Sequence, residues 1–245
     1  MRKSALVQRL EQYATLSAGE RDALDWAERR ETRVPAGERL LGRGENSDTL
    51  YVVQLGWFHA AIRLPTGARQ ILRFHFPGDL MGTSSIAWAQ AVHDFTAVSD
   101  AIVSELSKVN LGRIFREQPR LAGLLYAMSA AENVALSDRL TSVGRMDSLQ
   151  RLSTLILDVL ARLRVTAGGV IDSFDFPLTQ TDIGDTVGLT KVHVSRTLGK
   201  MEDLGLIQRN GKRVRVLDEA RMIADTGFVD RYKEIESSWL APPPT

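Results

Sequence analysis

The chain has 245 residues, 44% of them hydrophobic, so it is long enough for two modest cores. It contains no cysteine, which excludes disulfides, thiolate zinc sites and cysteine-held iron–sulfur clusters. The formal net charge is only +1, and no apolar run reaches the roughly 18 residues of a membrane helix, so we expect a cytoplasmic protein without membrane contact.

The first part of the chain changes character near residue 30. Apolar residues at helical spacing between residues 4 and 30 predict short amphipathic helices that cover one end of the next domain. From residue 33 to about 111, glycines separate short apolar runs at a spacing of about 8 to 12 residues, which indicates an all-β sandwich or barrel. The aromatic residues expected to fill it are Trp57, Phe58, Phe74, Phe76 and Trp88.

A long helical pattern follows from residue 109 to 143. Its apolar stripe consists of Leu121, Leu124, Leu125, Met128, Ala131, Ala135 and Leu136. A helix of this kind outside both domains buries its stripe best against its own copy. We therefore predict a homodimer.

The segment 178–198 has the signals of two short helices joined by a sharp turn. Thr179 can cap the first helix, and Asp182 stands where it can complete a capping box. Gly188 occupies the place of a left-handed residue at the helix end, and Thr190 can cap the next helix. The pattern predicts a helix-turn-helix.

The second of these helices has a face suited to DNA. Val194, Leu198 and Met201 share the side that packs on the first helix. The outer arc carries Lys191, Val192, His193, Ser195, Arg196, Gly199 and Lys200. In a major groove, Arg reads guanine bidentately, Ser bonds base edges or phosphate, and a methyl group contacts thymine. The alternative is an ordinary solvated face on a helical hairpin that binds protein.

A basic hairpin follows this helix. Asn210-Gly211 is the strongest two-residue hairpin signal. Lys212, Arg213 and Arg215 crowd the turn and the outgoing strand, where they can neutralise phosphates. A helix-turn-helix with a basic wing is more specific than either part. The predicted DNA contacts are Thr179, Gln180, Thr190, Lys191, Val192, His193, Ser195, Arg196, Lys200, Lys212 and Arg213.

Five stretches carry a resemblance that covers nearly the whole chain: PAGERLLGRG, LYVVQLGW, FHFPGDLMG, VGRMDSLQRLSTLILDVLARL and GLTKVHVSRTL. In this order they resemble the Crp/Fnr family of bacterial transcription regulators. The resemblance implies an α+β chain with a jelly-roll-like, double-stranded β-helix (β-roll) sensor domain and its leading helices at 1–115, a dimerisation helix at 116–143 and a winged helix-turn-helix at 144–245. It also implies a two-fold dimer on a pseudo-palindromic operator of double-stranded DNA, with RNA polymerase as a protein partner.

The same resemblance assigns base reading to the second helix. Lys191, Val192, Ser195 and Arg196 stand at the reading positions, and Arg196 matches best. Val192 replaces a glutamate that family members often carry to accept from cytosine, so their target sequences do not transfer. His193 fits the subgroup pattern V-H-V-(N or S)-R and can bond phosphate or a base edge; the alternative is a surface histidine without a partner.

The sensing site departs from the resemblance. Cyclic-AMP-binding members follow the PGD-x-x-G turn with a Glu and later an Arg-Ser pair, whose Arg neutralises the cyclic phosphate. The segment 91–96 here has no such Arg, so we expect neither cyclic AMP nor an iron–sulfur cluster and assign no cofactor. An unidentified effector is assigned to Thr83, Ser84, Ser85 and Phe95 by family geometry. Haem held by His59, His75 or His93 is the alternative, although each histidine is isolated in the sequence.

Motifs for catalysis do not occur in the chain. There is no H-x-H pair of the kind found in metal oxygenases on related barrels, no Gly-rich phosphate loop and no G-x-S-x-G. We therefore expect no enzyme but a sequence-specific DNA-binding regulator, its affinity set by an effector or by protein abundance. The alternative is a ligand-binding regulatory module acting through protein contacts, against which the basic hairpin argues.

Overall fold

The computed structural model describes residues 4–167 and 169–241. The helices are α1 Ala5–Leu10, α2 Ala18–Ala27, α3 Lys108–Glu117, α4 Pro119–Arg145, α5 Ser148–Ala167, α6 Gln180–Val187, α7 Lys191–Asp203 and α8 Glu219–Thr226. The strands are β1 Glu28–Val34, β2 Arg39–Leu41, β3 Thr49–Leu55, β4 Phe58–Arg63, β5 Arg69–His75, β6 Leu80–Met81, β7 Asp94–Ala97, β8 Ala101–Ser107, β9 Ser173–Asp175, β10 Ile207–Asn210 and β11 Arg213–Val216. No helix in these two ranges is both long and apolar enough to cross a bilayer.

The chain divides into two compact units. Unit 1 is built from the chain up to Ile62, from Arg73–Glu132 and from Glu234 onward. Unit 2 consists of Arg63–Leu72 and Asn133–Lys233. Strand β5 and helix α4 each contribute residues to both units.

Unit 1 contains the predicted β-roll. Its strands form two four-stranded sheets, in the orders β1-β8-β3-β6 and β2-β7-β4-β5, with β3 antiparallel to β8 and β4 antiparallel to β7. The side chains of one buried cluster come from both sheets, which confirms the sandwich or barrel predicted from the short apolar runs: Val34, Leu41, Val53, Phe58, Ala60, Met81, Phe95 and Val103. The helical region predicted up to residue 30 ends at Ala27, and β1 begins at Glu28.

Four of the five aromatic residues expected in the β-roll are buried. Trp57, Phe58, Phe74 and Phe76 are each at most 9% exposed, and Trp57 meets Phe76 edge to face at 4.6 Å between ring centroids. The expectation for Trp88 is wrong, because its side chain is 59% exposed. It lies in a loop outside the sheets, and composition alone does not distinguish a loop aromatic from a core aromatic.

A second core lies under the leading helices. Residues of α1, α2, α3 and the first half of α4 pack on apolar side chains of β3 and β8, so these helices cover one side of the roll as predicted. The helical stretch expected from 109 to 143 is interrupted between α3 and α4. Pro119 begins α4, a position where its missing N–H leaves no helical bond unmade.

The apolar stripe of α4 faces its own unit, contrary to the expectation that it meets a second copy. Leu121, Leu124, Leu125 and Met128 are buried in the second core, whereas Leu136 of the predicted stripe is 48% exposed. The outward apolar residues of α4, with their exposed fractions, are Tyr126 (72%), Val134 (43%), Leu136 (48%) and Leu140 (74%). Helical spacing identifies apolar positions but not the surface that covers them.

The chain beyond α8 belongs to both units. Tyr232 is buried beside Ala161 and Val165 of α5, with the Arg162 guanidinium 4.3 Å from its ring centroid. From Glu234 onward the chain is part of unit 1, where Ser237 Oγ donates to the carbonyl oxygen of Tyr13 over 2.9 Å. The last described segment is therefore a structural part of unit 1.

Candidate nucleic-acid interface

Helix α6 begins with the capping box that the sequence predicts. The Thr179 hydroxyl accepts from the Asp182 backbone N–H (3.1 Å), and the Asp182 carboxylate accepts from the Thr179 N–H (3.0 Å). Burial by itself raises the pKa of Asp182, but hydrogen bonds from Thr179 and from Arg69 outweigh it and hold that pKa below its usual value. Asp182 is therefore ionised at neutral pH and can act as a fixed acceptor.

The turn after α6 is also as predicted. Gly188 ends the helix with φ 70° and ψ 39°, the left-handed conformation that glycine adopts without a steric penalty. The Leu189 N–H donates to the carbonyl of Gly184 (3.0 Å), and the Thr190 hydroxyl accepts from the His193 N–H (3.3 Å). These contacts close the turn and start α7 with three residues between the two helices.

The inner face of α7 is packed and the outer face is open. Val194, Leu198 and Met201 are each at most 4% exposed, as predicted. The outer residues Lys191, Val192, His193, Ser195, Arg196 and Lys200 are all exposed. Within the described ranges, the side chains of Lys191, Arg196 and Lys200 form no salt bridge. Three cations thus face outward beside an exposed methyl-bearing side chain, Val192, at 66% exposure.

The remaining predicted contacts lie at the helix start and in the wing. Thr179 is exposed and Gln180 half-buried at the N-terminus of α6. Strands β10 and β11 are antiparallel, with Asn210 opposite Arg213 across the turn. Lys212 is exposed and makes no ion pair with the described residues, whereas Arg213 Nη2 donates to Ser173 Oγ over 3.0 Å.

Arg215, the last cation of the wing, bonds Asp172 through Nε over 2.9 Å. Both side chains are more than half exposed, so this ion pair is weak and can open to a phosphate. Of the wing cations, Lys212 is the one already available.

One cation of this interface was missed by sequence reasoning. Arg69, in the hairpin between β4 and β5, donates to Asp185 through Nε (2.7 Å) and to Asp182 through Nη2 (2.5 Å). Gln70 Nε2 reaches the carbonyl of Thr186 over 3.2 Å. The hairpin turn itself was predictable, but nothing in the local sequence indicates its partner more than a hundred residues away.

Arg151 was also missed. Its guanidinium donates to the carbonyls of Met146 (2.8 Å) and Val187 (3.1 Å), which ties the start of α5 to the end of α6. Unpaired backbone carbonyls occur at every helix end, so no residue pattern in the sequence predicts which of them Arg151 binds.

The residues expected to bind an effector lie in two places. Thr83–Ser85 form a 3₁₀ turn whose buried Ser85 accepts from the Val92 N–H over 3.2 Å. Lys108 Nζ donates to the carbonyls of Ser85 (2.8 Å) and Trp88 (2.7 Å). Phe95 is buried on β7.

The histidines considered for haem lie near this part of the roll. The ring centroids of His75 and His93 are 5.6 and 6.4 Å from that of Phe95, and His59 is buried on β4. Burial and then the nearby guanidinium groups of Arg73 and Arg43 lower the pKa of His93. Within residues 4–167 and 169–241, no three His, Asp or Glu side chains are grouped as a metal ligand set.

Two family models match the chain. Residues 31–118 match the cyclic nucleotide-binding domain, and residues 150–224 match the Crp-like helix-turn-helix domain. The β-roll and the α6–α7 pair fall within these two matches.

Curated relatives match over most of the chain. An anaerobic regulatory protein of Haemophilus influenzae is 27% identical over 213 residues, covering 87% of this chain and 82% of the relative. The nitrogen fixation regulation protein FixK of Bradyrhizobium diazoefficiens is 29% identical over 211 residues, covering 82% of this chain and 87% of the relative.

Solved structures share the fold. FixK2 from Bradyrhizobium japonicum superposes with a TM-score of 0.73 at 26% identity, covering 82% of this chain and 98% of that one. The regulator CLP from Xanthomonas campestris, at 16% identity and a TM-score of 0.64, supports the fold alone.

Proposed function

Since the chain belongs to the Crp/Fnr family of transcription regulators and is a DNA-binding protein rather than an enzyme, we propose that it reads a pseudo-palindromic operator as a homodimer. The observation that carries this proposal is the outer face of α7. Its cations form no ion pair with the residues that the structure describes, so they lose none of these partners when they meet DNA. Arg196 reads guanine, Val192 contacts a thymine methyl group, and Lys212 in the wing neutralises a phosphate.

The second copy packs on the outward face of α4 in this proposal. The helix has 27 residues, a length of about 40 Å, and exposes Tyr126 near its start and Leu140 near its end. Large apolar side chains exposed along one helix are an unfavourable surface for a monomer in water. Across a two-fold axis beside α4, each copy buries this face against the other. The same axis relates the two α7 helices by symmetry, as reading of a pseudo-palindrome requires.

Replacing Leu140 with glutamate is expected to dissociate this dimer. Two copies of a buried leucine contribute about 3–6 kcal/mol, so the dimer dissociation constant should rise at least about a hundredfold. Sedimentation equilibrium measures this directly. The control is Val109→Glu on α3, where an equally exposed apolar residue, at 81%, lies outside α4. A Leu140→Glu protein with the same dimer dissociation constant as wild type contradicts the proposed interface.

The effector in this proposal is not a cyclic nucleotide. A cyclic phosphate in a pocket needs a charge-assisted contact, best made by an arginine. Lys108 lies beside the 83–85 turn, but its ammonium group already bonds the carbonyls of Ser85 and Trp88. The segment 91–96 carries no arginine for the phosphate, so we assign an effector of other chemistry to the region of Ser85 and Phe95. Added cyclic AMP is expected to leave the affinity for DNA unchanged.

The proposed setting is the bacterial cytoplasm, where a regulator of this family meets its operator. RNA polymerase is the proposed protein partner, because a regulator without catalytic activity changes transcription through contacts with the transcribing enzyme or by blocking its access.

Selection of bound sequences from a random duplex pool tests the proposed function. Purified protein at physiological salt, with and without a metabolite extract, is expected to recover a pseudo-palindrome whose half-sites are about one helical turn apart. The Leu140→Glu variant serves as the control and should recover single half-sites only. Enrichment of an asymmetric site by wild-type protein contradicts the two-fold dimer, and no enrichment in either condition contradicts sequence-specific reading.

A further inference from the structure

The hairpin between β4 and β5 belongs to unit 2, although both strands pair in a sheet of the roll. Its turn is closed by backbone bonds from the Leu64 N–H to the Ala68 carbonyl (2.8 Å) and from the Gly67 N–H to the Leu64 carbonyl (2.9 Å). These bonds make the hairpin an ordered element. It can therefore hold a side chain in a defined position on another element.

Arg69 is the side chain that the hairpin holds on α6. Its guanidinium bonds two carboxylates at once, Asp182 and Asp185, and the three side chains are 17%, 18% and 25% exposed. A cation shared by two carboxylates at this degree of burial is a stronger contact than an exposed ion pair. Arg139 supports the outgoing strand by donating to the carbonyl of Leu72 over 2.7 Å.

Helix α6 needs such an external contact for two reasons. It has only eight residues, too few to be stable without packing. Ile183 and Val187 are buried on its inner face. On its outer face, the carboxylates of Asp182 and Asp185 are three residues apart and repel each other. The first helix of a helix-turn-helix also crosses the DNA backbone, where uncompensated carboxylates oppose the approach of phosphates.

We propose that Arg69 is a positioning residue for DNA binding, which fastens the β4–β5 hairpin to α6 and neutralises its two carboxylates. The inference rests on the DNA binding assigned above and adds a residue outside the helix-turn-helix to it. Strand β5 continues from Arg69 into unit 1, where Arg73 pairs with Glu132 of α4.

Hydrogen exchange of the DNA-free protein tests the contact by itself. In Arg69→Ala, the amides of α6 are expected to exchange about tenfold faster, because the loss of charged hydrogen bonds makes local opening easier. The matched control is Arg63→Ala, which removes the same charge from the same hairpin; Arg63 is exposed and pairs with no acid among the described residues. Equal exchange at α6 in both variants overturns the proposal.

Measurements of DNA affinity test whether the Arg69 contact matters for DNA binding. Arg69→Ala is expected to weaken binding to the selected operator and to random duplex by the same factor, about tenfold, while Arg63→Ala changes either by less than about twofold. The exchanged pair Arg69→Asp with Asp185→Arg should recover most of the loss. Failure of that recovery, or a loss confined to the operator, overturns the positioning role. Wild-type protein that binds no operator is a failure of the proposed function, and the exchange experiment still decides whether Arg69 holds α6.

Discussion

Arg196→Ala is expected to abolish discrimination at one base pair of each half-site. A bidentate arginine contact with guanine contributes about 1–3 kcal/mol of discrimination, so a dimer that loses two such contacts binds its operator roughly 30-fold to 10⁴-fold more weakly. The exposed guanidinium has no salt bridge with any described residue, so its removal leaves no internal charge unpaired. Competition binding with operators changed at single base pairs measures the discrimination.

Lys212→Ala is the matched control for Arg196, because it removes one exposed, unpaired cation from the wing. It should weaken operator and random duplex alike and lower the slope of log affinity against log salt by about 1 per subunit. A loss in Arg196→Ala that is equal for operator and random DNA contradicts base reading by this residue and reduces it to a phosphate contact.

Gly184→Ala is expected to disrupt the helix-turn-helix itself. A Cβ atom at this position lies 2.4 Å from the carbonyl oxygen of Leu189, so the backbone of the turn must move. Overpacking of this kind costs about 1–3 kcal/mol, and the shift also strains the bond from the Leu189 N–H to the Gly184 carbonyl. Urea unfolding should show the loss of stability, and operator binding should fall with it because α7 is displaced.

The control for Gly184 is Gly199→Ala in α7. A Cβ atom there meets nothing within 4 Å, so the substitution should raise the free energy of unfolding by about 0.5–1 kcal/mol through a less flexible unfolded chain. The same Gly→Ala substitution is thus expected to lower the free energy of unfolding in α6 and to raise it in α7. A Gly184→Ala protein as stable as wild type contradicts the close approach of α6 and the turn.

The DNA-reading helices could be predicted from sequence because their signals are local. Thr179, Gly188 and Thr190 act within four residues of their partners, and each takes the predicted role. The Asn210-Gly211 hairpin is local in the same sense. Caps and turns are determined by the identities of a few neighbouring residues, and these can be identified directly in the sequence.

The parts that could not be predicted depend on distant partners. Leu124 and Met128 have the spacing of an oligomer stripe, but in the structure they pack in one cluster with residues of α1, α2 and α3. Arg69 meets Asp182 across 113 positions of the chain, and no periodicity encodes such a pairing. Trp88 and Phe76 are both large aromatic residues, yet only the path of the chain decides which of them is enclosed.

The bond between Ser237 and Tyr13 joins residues 224 positions apart. Synthesis proceeds from the N-terminus, so α1 and α2 leave the ribosome long before the segment that packs beside them. Unit 1 therefore completes its packing only after the segment around Ser237 has been made, although α1 and α2 are synthesised far earlier. Unit 2 consists of Arg63–Leu72 and Asn133–Lys233, so its folding does not depend on a segment as distant in the chain as Ser237 is from Tyr13.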